Sequence, residues 1–417
     1  MIPLATLSLP GAGLVVLTVA LVTAGCIAAA LALYLFALSV AAFFYSERLP
    51  RVPPSSRLAV LIPAHNESAL IARCVQSLRA QTYPSDLYEI VVVADNCTDD
   101  TAAVAARAGA HRVMTRDEPG ARGKGQALRW AMDRLLSAAA APAAVVIIDG
   151  DSIAAPDLLT ALARTFEAGA PAVQGESRLY GDGTMSAELR VSAFILMNRV
   201  RPRGRAVFGL AHYLVGTGML LSRDLLLARP WDAFTSAEDL EYSLKLRRSG
   251  VNIAFAGDAV ACSPTAPNPH AAAQQQLRWE GGQARLARTW LPALIVGALR
   301  ERRPALLALA FELAVPPLGF LAATVIGGAA VGASLAGTGV MPMWSLGPWL
   351  VAGAAIPLYV LIGLRAGHAP KSAYLALVRA PLLIATKPLR AYRVLTFRSD
   401  RWVRTERAAE PDIGSEV

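Results

Sequence analysis

The stretch VVIIDGDS occupies residues 145–152. Four branched apolar residues run straight into two carboxylates, Asp149 and Asp151, one glycine apart. A short run that is apolar throughout reads as a strand buried on both faces. Two like charges this close repel unless something compensates them. A hard divalent cation bridging to a diphosphate is one compensator. The plainer reading is a polar turn, with Asp and Ser bonding their own backbone.

The neighbouring segments set the context. LAVLIP (58–63) and YEIVVVAD (88–95) are further apolar strands. SALIARCVQSLRAQ (68–81), DDTAAVAARAG (99–109) and GKGQALRWAMDRLLSA (123–138) have helical spacing between them. Strands alternating with helices predict an α/β domain with a mostly parallel, Rossmann-like sheet covered on both faces. Ligands of such sheets collect beyond the carboxyl ends of the strands. Here the first strand ends in His65, Asn66 and Glu67. The second ends in Asp95 and Asn96, with Asp99 and Asp100 following. One acidic strand end is a turn; three at one edge point to a pocket for a nucleotide and a metal.

PAHNE, VVVADNCTDDTA, RGKGQAL and DGDS, in this order, resemble the nucleotide-sugar half of the family 2 glycosyltransferases, which share the GT-A fold. TSAEDLEYSLKLRRSG is similar to the family's Glu-Asp segment. QQLRW (275–279) is similar to its QxxRW motif, seen in membrane synthases of cellulose, chitin and hyaluronan. The likeness spans about residues 58–282.

The resemblance implies roles residue by residue. Asp95, with Glu67 beside it, would bind the uracil or ribose of a UDP-sugar. Lys124 would contact nucleotide or phosphate. Asp149 and Asp151 would hold Mg2+ or Mn2+ against the diphosphate. Asp239, next to Glu238, would be the general base for an inverting displacement. Gln275, Arg278 and Trp279 would meet diphosphate and sugar. Gly216-Thr217-Gly218 would line the acceptor. Plainer readings stand beside these: a helix capping box from Ser236 to Asp239 or from Thr235 to Glu238, and a solvated basic loop for Arg199, Arg201, Arg203 and Arg205, whose sharper alternative is a grip on a lipid-phosphate acceptor. His212 reads equally as a structural or a ligand-contacting histidine.

Composition adds the membrane. Of 417 residues 54% are hydrophobic and 17% charged, with net charge +9. A basic balance in so apolar a chain marks loops beside lipid rather than nucleic-acid binding. The four cysteines have no paired spacing, which argues against a disulfide framework or a zinc site. Residues 13–45 predict one long anchor helix, with a basic flank at Arg48, Arg51 and Arg57. The expected layout is an anchor (1–48), a cytoplasmic GT-A domain (49–288) and an interfacial helix (289–303). A membrane hairpin (304–366), broken at Pro316-Pro317, and an amphipathic segment with a tail (367–417) complete it. The setting this implies is a bacterial inner membrane. The resemblance implies a growing polysaccharide as the acceptor; the alternatives are transfer of one or a few sugars to a lipid and a membrane scaffold without chemistry, and a separate export protein is compatible with so few spans.

Overall fold

The computed structural model describes residues 11–47, 49 and 53–397. Arg48, Arg51 and the tail from residue 398 lie outside the described residues. The strands are β1 (Leu58–Ala64), β2 (Tyr88–Asp95), β3 (Arg112–Arg116), β4 (Ala144–Ile147), β5 (Ile153–Ala154), β6 (Ala172–Tyr180), β7 (Met219–Ser222) and β8 (Ile253–Pro264). They form one sheet in the order β3-β2-β1-β4-β7-β6-β8-β5. β1 to β4 pair in parallel, as does β6 with β8; β7 is antiparallel to both its neighbours and β5 to β8.

The helices of the first half are α1 (Gly11–Ala41), α2 (Ile71–Arg79), α3 (Thr101–Arg107), α4 (Lys124–Leu136), α5 (Leu158–Glu167), α6 (Met185–Ile195), α7 (Arg201–Val207) and α8 (Arg223–Ala228). Those of the second are α9 (Glu238–Arg248), α10 (Pro269–Arg300), α11 (Pro304–Ala314), α12 (Leu318–Gly337), α13 (Gly347–Ala366), α14 (Lys371–Ala376) and α15 (Ala380–Leu395).

The continuous apolar strands follow from burial on both faces. Leu58, Val60 and Ile62 enter one core with Ile71, Ile90, Val92 and Leu158, under α2, α3 and α5. Ala59 and Leu61 enter the other with Val91, Val93, Leu128 and Tyr242, under α4 and α9. Side chains alternate across a strand, so both parities must be apolar. Each large aliphatic side chain fully buried this way contributes roughly 1.5–3 kcal/mol. α2 starts at Ile71 rather than Ser68 because residues 67–70 form a turn. Ser68 N donates to Asp99 at 3.2 Å, and Leu70 N donates to Glu67 O at 3.0 Å.

Three helices are long and apolar enough to cross a membrane, by length and composition: Gly13–Phe44, Leu318–Gly337 and Met343–Ala366. α1 packs Ala28, Leu31 and Leu35 against the cluster around Trp349, while Val15, Val16, Val19 and Ile27 are exposed. A helix apolar on all sides suits lipid rather than water. The expected break at Pro316-Pro317 separates α11 from α12.

Two expectations change. Residues 289–303 are not a separate helix, because α10 runs unbroken through Pro292 to Arg300. Its second half is held by packing of Leu286, Leu294 and Ala298 on Leu306, Leu309 and Leu313 of α11. The basic run is not a solvated loop either. It lies on the helical segment from Leu196 through α7, where i,i+4 spacing puts two arginines on each face. Arg199 and Arg203 meet Glu176, which is fully buried, at 3.2 and 2.8 Å. Arg201 and Arg205 both bind Glu312 of α11, Arg205 at 2.7 Å. Gly204 is required here, since a Cβ would stand 2.3 Å from the Leu38 carbonyl of α1.

Candidate active site

The strand ends at the carboxyl edge of β1, β2 and β4 open into one cavity of about 1680 Å³. Its walls include Glu67, Asp95, Lys124, Asp149, Asp151, Glu238, Asp239, Gln275, Arg278 and Trp279. All ten residues singled out from the sequence therefore face one space.

Asn66 and Asn96 follow the ends of β1 and β2 with φ of 55° and 49°. Asparagine tolerates this left-handed turn. Asn66 Oδ1 accepts from Thr98 N at 2.7 Å, tying one strand end to the next. Asp95 is buried, and Arg116 and Asn96 donate to its Oδ1 at 2.5 and 2.8 Å. Burial pushes its carboxyl above the usual range, and Arg116 works against that shift.

Lys124 opens α4 and lies at the centre of the acids. Its Nζ is 2.5 Å from Asp149 Oδ1, 2.7 Å from the Gly216 carbonyl and 3.7 Å from Glu238 Oε1. Burial alone would discharge the ammonium; Asp149 and Glu238 outweigh it and hold the group above its usual range. Gly216 has φ 87°, and a Cβ there would lie 3.2 Å from Asp239 Oδ2 and 3.3 Å from Lys124 Nζ. Only glycine satisfies both the turn and the space.

Glu238 and Asp239 begin α9. The expected cap from Ser236 is absent: the residue before the helix makes no side-chain cap, and Ser236 Oγ is buried without a hydrogen-bond partner among the described residues. Glu241 instead ties down the approach to the helix, accepting from Phe234 N and Thr235 N at 3.2 and 3.1 Å. Asp239 Oδ1 accepts from Leu240 N at 2.7 Å, and the carboxylate lines the cavity. Burial and repulsion from Glu238 push its carboxyl up to about 7, with Lys124 opposing.

Gln275, Arg278 and Trp279 share the cavity side of α10, whose start is capped by Asn268 Oδ1 accepting from Ala271 N at 2.8 Å. The Trp279 ring is partly exposed, 6.3 Å from that of Phe194. His212 is buried and stacked on Phe255, and burial pushes it down to about 3. Burial disfavours its charged form, and the ring lies on the cavity wall. All four cysteines are free thiols.

The cavity does not end at the polar half. It continues past Trp279 to Leu318, Ala322, Val325 and Ile326 of α12, Ile356 and Val360 of α13, and Leu383 of α15. At that end Lys387 of α15 pairs with Glu280 of α10 at 2.5 Å, both buried. Sequence reading missed Glu176, Glu312, Gln174 and this pair. The lone acid in PALLALAFELAVPP was a visible signal, since an ionisable residue in an apolar run has a partner.

An α/β sheet with an acid cluster at its carboxyl edge, around a turn of glycines, defines a GT-A transferase site. Residues 53–282 match the family described as Glycosyltransferase like family 2, and the chain belongs to that family. Beta-monoglucosyldiacylglycerol synthase of Synechocystis sp. is 26% identical over 250 residues, covering 57% of this chain and 50% of that protein. Probable glycosyltransferase YdaM of Bacillus subtilis is 24% identical over 253 residues, covering 57% of each chain. The solved mannosyltransferase PcManGT from Pyrobaculum calidifontis, in complex with GDP-Man and Mn2+, is 19% identical. That likeness covers 89% of this chain and 95% of that one, with a TM-score of 0.49. The chain spans about half the length of the curated relatives it matches.

Proposed function

We propose that this protein moves a hexosyl group from a UDP-sugar to a hydroxyl of a membrane lipid, with inversion at the anomeric carbon. The observation that carries this is the unbroken cavity, acidic at Asp149 and Asp239 and apolar at α12 and α13. A nucleotide sugar fits the first half, and an acyl chain fits the second. The relative that makes a glucosylated diacylglycerol supports a lipid acceptor. Polymer synthesis is the second reading, favoured by Gln275, Arg278 and Trp279 on the same wall.

In the donor half, Asp95 and Glu67 would bind the nucleoside, and Arg278 would pair with the diphosphate. Trp279 presents a flat face to the sugar. Among the described residues no three acidic, His or Cys side chains form a metal cluster. Two carboxylates plus phosphate oxygens still suit Mg2+ or Mn2+. The Lys124 ammonium, 2.5 Å from Asp149 Oδ1, marks this carboxylate as one that pairs with positive charge, which is consistent with the cation reading. Asp149 and Asp151 would hold it, and it would supply charge neutralisation on the departing diphosphate. Asp239 would take the proton of the acceptor hydroxyl, opposite the leaving group. Lys124 would stay beside the diphosphate. We place α1, α12 and α13 across the membrane of a bacterial cell and the sheet domain on its cytoplasmic side, where nucleotide sugars are made.

The test is a donor screen on the full chain in lipid nanodiscs with Mn2+ or Mg2+. UDP release from one donor, with the labelled sugar moving into the organic phase, is the expected result. Label in a water-soluble polymer would favour the second reading, and no release from any donor would reject both. Chelator should bring turnover to background; full activity in chelator would remove the cation from the scheme.

A further inference from the structure

A buried amide lies under the site and belongs to no motif. Gln174 of β6 is 3% exposed. Its Oε1 accepts from Val215 N at 2.8 Å, and its Nε2 donates to Thr217 O and Gly175 O, each at 2.9 Å. An amide is the neutral side chain that accepts at one end and donates twice at the other. The neighbours also fix its orientation, with one N–H facing the oxygen and carbonyls facing the nitrogen.

The turn it grips has little stiffness of its own. Gly216 and Gly218 have φ of 87° and 67°, and glycine leaves such conformations without a steric barrier. The turn nevertheless holds the reacting cluster in place. The Gly216 carbonyl accepts from Lys124 Nζ at 2.7 Å, and Thr217 Oγ1 accepts from Asp149 N at 3.2 Å. Upstream, Leu214 N donates to Ser243 Oγ at 2.8 Å, and Ser243 Oγ donates to Asp239 O at 2.7 Å. Nearby, residues 257–259 of β8 bulge out of register, and the Ala259 carbonyl leaves no room for a Cβ at Gly175. Such bulges re-aim side chains next to sites.

We infer that Gln174 is a positioning residue: its amide locks the 215–218 turn, and the locked turn sets Lys124 and Asp149 against the donor diphosphate. The kinetic consequence rests on the transfer reading above; the lock itself does not. Gln174 holds the planes on either side, 214–215 through Val215 N and 217–218 through Thr217 O, and so fixes the Gly216–Thr217 plane between them, whose carbonyl Lys124 binds. Turned over, that plane would take its carbonyl from Lys124.

Two variants test this. Gln174→Met keeps the volume and removes every hydrogen bond. Gln174→Glu keeps the shape and the acceptor for Val215 N but loses the donor to Thr217 O. Hydrogen exchange in the peptide spanning 211–218 should speed up by about tenfold or more in either variant. At saturating donor, turnover per bound nucleotide should fall by about 10²-fold, the effect of a small misplacement, while the donor KM moves far less. A purely structural role would lower the yield of folded protein and leave turnover per bound nucleotide unchanged. Should Gln174→Met not fold, Gln174→Glu decides. A folded variant with wild-type exchange and wild-type kcat overturns the inference. A wild-type protein that transfers from no donor rejects the functional reading, and the exchange measurement still decides the lock.

Discussion

Asp239→Asn should bind the donor nucleotide as wild type does and lose transfer by a factor on the order of 10³, the range of a lost general base. The substitution is nearly isosteric, and asparagine Oδ1 keeps the bond from Leu240 N, 2.7 Å in the wild type. It also removes one negative charge from the group around Lys124, so an anionic donor has no reason to bind more weakly. Calorimetry with UDP and a label-transfer assay separate the two properties. Transfer at the wild-type rate would exclude Asp239 as the base.

As general base the same residue would set a pH profile. Burial and repulsion from Glu238 push its carboxyl up to about 7. A base works only when deprotonated, so kcat/KM should fall as pH drops below about 7. Lys124 opposes that rise, so Lys124→Met should move the acid limb to higher pH. An acid limb unmoved in Lys124→Met would detach the profile from this cluster.

Glu312→Gln should be strongly destabilising. The carboxylate binds Arg201, Arg205 and the Tyr34 hydroxyl of α1, the last at 2.5 Å. It is 7% exposed and Arg205 is 3% exposed. Removing the acid takes the counter-charge from the buried Arg205 and the partly buried Arg201, which costs about 3–5 kcal/mol. Melting in detergent should drop by roughly 3–6 °C. Glu301→Gln is the control: it breaks the Arg248 pair at 2.5 Å, whose side chains are 41% and 35% exposed. Solvent screens such a pair, and its loss should cost about 1 kcal/mol or less. Equal effects from the two variants would show that the Glu312 network does not join the sheet domain to α1 and α11.

That network is also where sequence and structure part. The α/β order, the strands of β1, β2 and β4 and the acids at their ends were legible because burial and turn chemistry act on consecutive residues. LAVLIP and YEIVVVAD are apolar at both parities, and a strand covered on both faces is what that pattern describes. α1 and the break at Pro316-Pro317 were legible for the same local reason. Asp149, Asp151 and Lys124 stood out as polar groups placed where apolar segments stop.

What the tertiary structure decided are the partners. Arg205 and Glu312 are 107 positions apart, Lys124 and Gly216 are 92, and Gln174 and Thr217 are 43. No local period encodes such pairings, so four arginines two apart read as a solvated loop until Glu176 and Glu312 came to lie against alternate faces. Glu241 likewise accepts from Phe234 N and Thr235 N, an arrangement that the capping-box spacing at Ser236 does not record. The sequence alone determined which chemistry collects at the sheet edge. Only the fold decided that this edge opens onto the apolar faces of α12 and α13, because a cavity is a relation between segments and not a property of any one of them.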